Sequence, residues 1–157
     1  MPKVRIKEKE IIGKIVFYGP GLGGKTTNMQ IIHKKAHPKF RGDLVSLATE
    51  TDRTLFFDFL PMALKQVGGF DIRFHMFTVP GQVFYEESRK IILRGADGVV
   101  FVSDSHPARR VANEEALEDL KRNLKIYGLD IKTIPLVIQY NKRDLHNAMD
   151  IDDMRID

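Results

Sequence analysis

Residues 18–28 read YGPGLGGKTTN, and they decide the fold: four of the chain's 12 glycines crowd in front of Lys25, Thr26 and Thr27. Gly19, Gly24, Lys25 and Thr26 match G-x-x-x-x-G-K-[ST], the P-loop. The flanks suit it. IIGKIVFYG, residues 11–19, is rich in β-branched and aromatic residues and reads as a buried strand. Over residues 25–37, Met29, Ile32 and Ala36 recur at helical spacing until Pro38 forbids continuation. Glycines let successive backbone N–H groups curl around phosphate oxygens, and the helix that follows adds the positive end of its dipole. The phosphate-binding candidates are therefore Gly19, Gly21, Gly23, Gly24, Lys25, Thr26 and Thr27, with Lys25 reaching the β- and γ-phosphates and the Thr26 hydroxyl ligating Mg²⁺. Gly19, Gly21 and Gly24 also satisfy G-x-G-x-x-G, the dinucleotide fingerprint. That reading needs an acid at the end of a second strand, and Asp43 lies in a loop, so it is the weaker of the two.

Working outward, RGDLVSLATETDR, residues 41–53, fits neither helix nor strand and reads as a long functional loop. TLFFDFLPMAL and FDIRFHMFTVPG form an antiparallel hairpin across KQVGG, where Gly68 and Gly69 supply the turn. In the second strand Phe70, Ile72, Phe74 and Met76 alternate with Asp71, Arg73 and His75. A helix over residues 83–94 ends at Gly95; GVVFVSDS is another buried strand; the segment from Pro107 to Gly128 is a helix with Leu117, Leu120, Leu124 and Tyr127 on one face; IPLVIQYN is a last strand. The order β-α-β-β-α-β-α-β implies a mostly parallel sheet with helices on both faces and a ligand beyond the carboxyl ends of the strands.

At 157 residues, with 43% hydrophobic and 29% charged residues, the chain reads as one domain over residues 1–157. It has no cysteine, which excludes thiolate metal sites and cysteine nucleophiles and agrees with a reducing cytoplasm. No apolar run approaches the length that spans a bilayer, and neither Pro2 nor the RID terminus fits a lipidation signal, so any membrane contact is peripheral. The net charge of +4 is modest, and its densest cluster, HKKAHPKFR, has one aromatic and no stacking platform; nucleic-acid binding is not supported.

The other motifs also follow strands. NKRD, residues 141–144, ends the last strand; there Asp144 accepts two hydrogen bonds from guanine N1–H and N2–H₂, a pair adenine does not present. Asn141 and Lys142 complete the motif, with the Lys142 stem beside the base and P-loop. TVPGQ, residues 78–82, places Gly81 to offer its N–H to the γ-phosphate and Gln82 to orient an attacking water. Thr54 is the candidate to complete Mg²⁺ coordination, in competition with Thr49 and Thr51.

GPGLGGKTTN, SLATETDRTLFFDFLP, TVPGQVFY and IQYNKRD together resemble the Ras-like superfamily and, more closely, its MglA-like bacterial branch of small GTPases of gliding motility and cell polarity. The similarity runs from about Ile11 to Met154. It implies a P-loop small-GTPase fold, GTP/GDP and Mg²⁺ as ligands, and slow hydrolysis accelerated by an MglB-like roadblock-fold homodimer. Polarity or motility effectors, and a cytoplasmic protein recruited to a cell pole, are implied too. Arg53 matches the family's internal arginine finger. Thr78 stands where most Ras-like chains have an acid, a departure that MglA-like proteins share. Family chains continue through a further strand and a covering helix, so the fold is expected to lack those two elements and to retain nucleotide less tightly. The alternative is a nucleotide-dependent interaction module with negligible turnover.

Overall fold

Strand β2, Glu10–Tyr18, organises the molecule, because both of its faces are covered. Val16 and Tyr18 join one core cluster with Ile92, Leu93, Leu117, Leu120 and Leu124, whereas Phe17 joins a second with Met29, Leu60, Met76 and Val102. A strand turns successive side chains to opposite sides, so the apolar run at its end, residues 15–18, needs a layer on each face. Helices α2 (Glu86–Leu93) and α3 (Arg110–Ile126) cover the first face, and α1 (Lys25–Lys35) covers the second. The computed structural model describes residues 1–47, 57–81 and 85–155.

Among the described residues the sheet has seven strands, with β1 at Lys3–Arg5, β3 at Val45–Leu47, β4 at Phe57–Ala63, β5 at Asp71–Thr78, β6 at Gly98–Asp104 and β7 at Leu136–Asn141. Their order is β3-β4-β5-β2-β6-β7, with β1 pairing the start of β2. The centre is parallel: β2 pairs β5 and β6, and β6 pairs β7. The β4–β5 hairpin is antiparallel, as expected, with Gly68 and Gly69 at φ 57° and 82° in its turn. The sheet is therefore mixed, parallel at its centre and antiparallel along the β3–β4–β5 arm and at β1.

Several boundaries differ from the sequence reading. The expected loop over residues 41–53 contains β3, which pairs antiparallel with β4 through Val45–Phe59 and Ser46–Asp58; residues 48–56 lie outside those described. Three residues are too few for periodicity to register, and the partner strand supplies the ladder. Strand β1 was not expected either, since its exposed, charged residues carry no core signal. Helix α1 ends at Lys35, before His37, because Pro38 drives its predecessor to extended backbone (φ −60°, ψ 134°) and the His37 ring accepts from Lys39 N. Pro107–Arg109 is a 3-10 turn leading into α3, not its first turn. Helix α2 begins at Glu86; Val83, where it was expected, lies outside the described residues. A single turn, α4 (Ile151–Met154), follows β7 and its loop.

Candidate nucleotide-binding site

The three motifs meet at the carboxyl ends of β2, β5 and β7, around a cleft of about 280 Å³ lined by Gly21, Gly23, Gly24, Lys25, Gly81 and Lys142, among others. The phosphate loop leaves β2 at Gly19, whose φ of 143° no L-side chain adopts comfortably and where an added Cβ would collide with the Val102 carbonyl. Gly24, at φ 106°, caps α1, and its Cβ would collide with the Asn141 amide. The sequence thus puts glycine where the loop must turn left-handed against a neighbouring strand.

Lys25 is 5% exposed, and its Nζ donates to the carbonyls of Gly19 (2.9 Å) and Pro20 (2.7 Å). Burial, then the charges of Arg89 and Arg109, lower its pKa to about 7, with Asp58 opposing. A lysine so buried and repelled is poised to gain from an anion entering the cleft. Thr26 and Gly21 are half-buried, Gly23 is buried, and Thr27 is exposed. Arg109 donates to the Gly21 carbonyl at 2.7 Å.

NKRD braces this loop. Asn141 Nδ2 donates to the Gly23 carbonyl at 2.9 Å, and Lys142 Nζ donates to Leu22 O and pairs with Asp104 Oδ2, each at 2.8 Å. Asp104 is 1% exposed at the end of β6, so Lys142 also neutralises a buried carboxylate. Asp144 is exposed next to the braced loop.

Asp58 on β4 was not singled out in the sequence. It is 6% exposed, and its Oδ2 accepts from Thr26 Oγ1 at 2.7 Å and Thr78 Oγ1 at 2.8 Å, while Oδ1 accepts from Ser46 Oγ at 2.6 Å. The Thr78 hydroxyl also accepts from Asp58 N at 2.8 Å. Thr78 therefore orients a carboxylate contributed by the antiparallel neighbour of its own strand. The sequence signal was a single acid inside the apolar run FFDFLP, which hairpin periodicity alone does not flag. This donor set fits a hard cation: Thr26 gives its proton to Asp58 and leaves its oxygen lone pairs free for Mg²⁺. Among the described residues no cluster of three histidine or acidic side chains could hold a metal ion. Arg53, Thr54, Thr49, Thr51 and Gln82 lie outside the described residues. Among those described, no helix is long and apolar enough to cross a membrane.

The sequence profile described as "Arf: ADP-ribosylation factor family" matches residues 2–157. The chain belongs to the ADP-ribosylation factor family. The mutual gliding-motility protein MglA of Myxococcus xanthus (strain DK1622) is 58% identical over 155 residues, covering 99% of this chain and 80% of that protein. ADP-ribosylation factor-like protein 6 of Caenorhabditis elegans is 29% identical over 86 residues, 55% of this chain and 44% of that protein. As a member of the ADP-ribosylation factor family, a family of small GTPases, the chain is a guanine-nucleotide-binding protein.

Proposed function

We propose that the chain is a GTP/GDP switch of the MglA type, hydrolysing GTP to GDP and phosphate by in-line attack of water. The observation that carries this reading is the mutual bracing of the two nucleotide motifs, Asn141 on Gly23 and Lys142 on Leu22, which joins a base-reading loop to a phosphate-reading one. Gly19, Gly21, Gly23, Gly24, Lys25, Thr26 and Thr27 would cradle the phosphates, Asp144 would read guanine with Asn141 and Lys142 holding it in register, and Gly81 would meet the γ-phosphate. Thr26 and Thr54 would ligate Mg²⁺, which neutralises charge on the phosphates. Asp58 would supply the anion behind Thr26 that Thr78 does not.

Gln82 would orient the attacking water and Arg53 act as an internal finger, a role worth ~10³ to 10⁵ in rate. Turnover is slow until a roadblock-fold, MglB-like homodimer orders these residues, and the ordered loops form the surface that effectors read. The 58% identity to a gliding-motility protein supports a role in motility; the resemblance of the motifs extends the proposal to cell polarity, in the cytoplasm with recruitment to a pole. Single-turnover hydrolysis tests the chemistry. Gln82→Ala and Arg53→Ala are expected to slow phosphate release while sparing GTP affinity, and unchanged rates in both would refute the assignment.

A further inference from the structure

Arg89, on α2, is 7% exposed and belongs to no motif. Its Nε donates to Asp119 Oδ2 on α3 at 2.9 Å, an ion pair in which both side chains are about nine-tenths buried. Its NH1 donates to the Pro80 carbonyl at 3.2 Å. Asp119 is fixed from other directions: Tyr18 donates its hydroxyl to Oδ2, Asn123 Nδ2 donates to Oδ2 at 3.2 Å, and Arg122 donates to Oδ1 at 3.1 Å. Asn123 also donates to the Tyr18 hydroxyl at 3.0 Å. Tyr18 is the last residue of β2, immediately before the phosphate loop. One buried network therefore ties the foot of that loop to α3, α2 and the residue before Gly81.

The Pro80 carbonyl and the Gly81 N–H belong to one peptide unit. That unit is planar and, as no peptide among the described residues is cis, its C=O and N–H point in opposite directions. A guanidinium gripping the oxygen thus fixes where the hydrogen points. Gly81 lies against the phosphate loop, where an added Cβ would collide with the Gly21 backbone and stand 3.0 Å from Lys25 Nζ. The Arg89 charge is also among those that lower the Lys25 pKa.

We propose that Arg89 is a positioning residue for the terminal phosphate: anchored by Asp119, it holds the Pro80–Gly81 peptide so that the Gly81 N–H is presented to a triphosphate and has no partner on a diphosphate. The inference rests on the GTP reading above. It gives the chain a triphosphate-sensing contact set by α2 and α3, so that anything shifting α2 changes the preference for GTP over GDP. The ion pair would be the part of the network that registers such a shift. The pair opposes partial separation, since Asp119 keeps Arg122 but the buried Arg89 guanidinium would lose its counter-charge.

The test compares affinities for GDP and a non-hydrolysable GTP analogue, by displacement of a fluorescent guanine nucleotide in Mg²⁺, in wild type, Arg89→Lys and Arg89→Met/Asp119→Asn. The double variant removes both charges, avoids leaving one buried alone, and keeps an acceptor for Tyr18. Thermal unfolding of each GDP complex reports folding. GDP affinity is expected to hold while affinity for the analogue falls about tenfold, the scale of one hydrogen bond to a charged group. An unchanged ratio in the folded variants, or equal loss for both nucleotides, overturns the inference. Failure of wild type to bind either nucleotide overturns the GTP reading itself.

Discussion

The two sides of the cleft are built differently. On one side, β2, β6 and β7 run parallel, and their loops are tied by Asn141 to Gly23, Lys142 to Leu22 and Asp104, and Arg109 to Gly21. On the other, the antiparallel β3–β4–β5 arm brings one buried carboxylate, Asp58, to Thr26; of the proposed catalytic residues, Arg53 falls between β3 and β4 in sequence and Gln82 follows β5. On the proposed reading, the first side holds base and phosphate. The second is joined to β2 by the parallel β2–β5 ladder and reaches the phosphate loop through Asp58 on Thr26, at the proposed metal position. The proposal thus divides holding and timing between the β2–β6–β7 side and the β3–β4–β5 arm of one sheet.

The largest expected effect lies on the holding side. Gly19→Ala places a Cβ against the Val102 carbonyl at φ 143°, a strain of about 1–3 kcal/mol before the collision is relieved. A denaturation midpoint at least several degrees lower, with loss of nucleotide binding, is the expected result; a wild-type midpoint would mean the loop is less rigid than its contacts imply. On the timing side, Asp58→Asn keeps an acceptor for Thr26 and Thr78 but removes the charge. The Mg²⁺ concentration needed to retain bound GDP is expected to rise about tenfold, while GDP affinity in EDTA stays the same. Equal loss with and without Mg²⁺ would make Asp58 a structural residue of the arm.

Lys25 joins the two sides, and protons report on it. With its pKa lowered by burial to about 7 in the nucleotide-free protein, against the ordinary lysine value of 10.5, the unfolded chain binds more protons than the folded one between those values. Stability of the nucleotide-free protein is therefore expected to rise with pH across that window. Bound phosphate raises the pKa again, so calorimetry of GDP binding at pH 8 in buffers of different ionisation enthalpy is expected to show uptake of close to one proton; Lys25→Met removes it. The smallest effect belongs to the exposed pair Lys121–Glu118 at 2.8 Å, far from both sides: Glu118→Gln is expected to leave the unfolding midpoint and nucleotide affinity unchanged.

How much was legible in the sequence follows the same division. The parallel half wrote itself plainly, because strand-to-loop-to-helix phosphate sites need glycine at fixed spacings and apolar strands on either side. The glycines that looked bare proved to be the positions where a Cβ strikes Val102 or Asn141. The antiparallel arm was harder to read. β3 is three residues long and takes its order from β4, and Asp58 acts by reaching across a strand pair to Thr78 and Thr26, a contact set by register and invisible to local spacing. Arg89 and Asp119 were hidden for a related reason: 30 residues separate them, and each looks like an ordinary charged residue of an amphipathic helix.

The central claim is that the braced pair of loops selects guanine. Isothermal titration of the protein with GDP and with ADP, each in excess Mg²⁺, tests it directly. A site built around hydrogen bonds rejects an analogue lacking them by factors of ~10⁴, so GDP is expected to bind tighter than ADP by a factor on the order of 10³ or more. That margin is expected to collapse in Asp144→Ala. Comparable affinities for GDP and ADP in the wild-type protein would contradict the account.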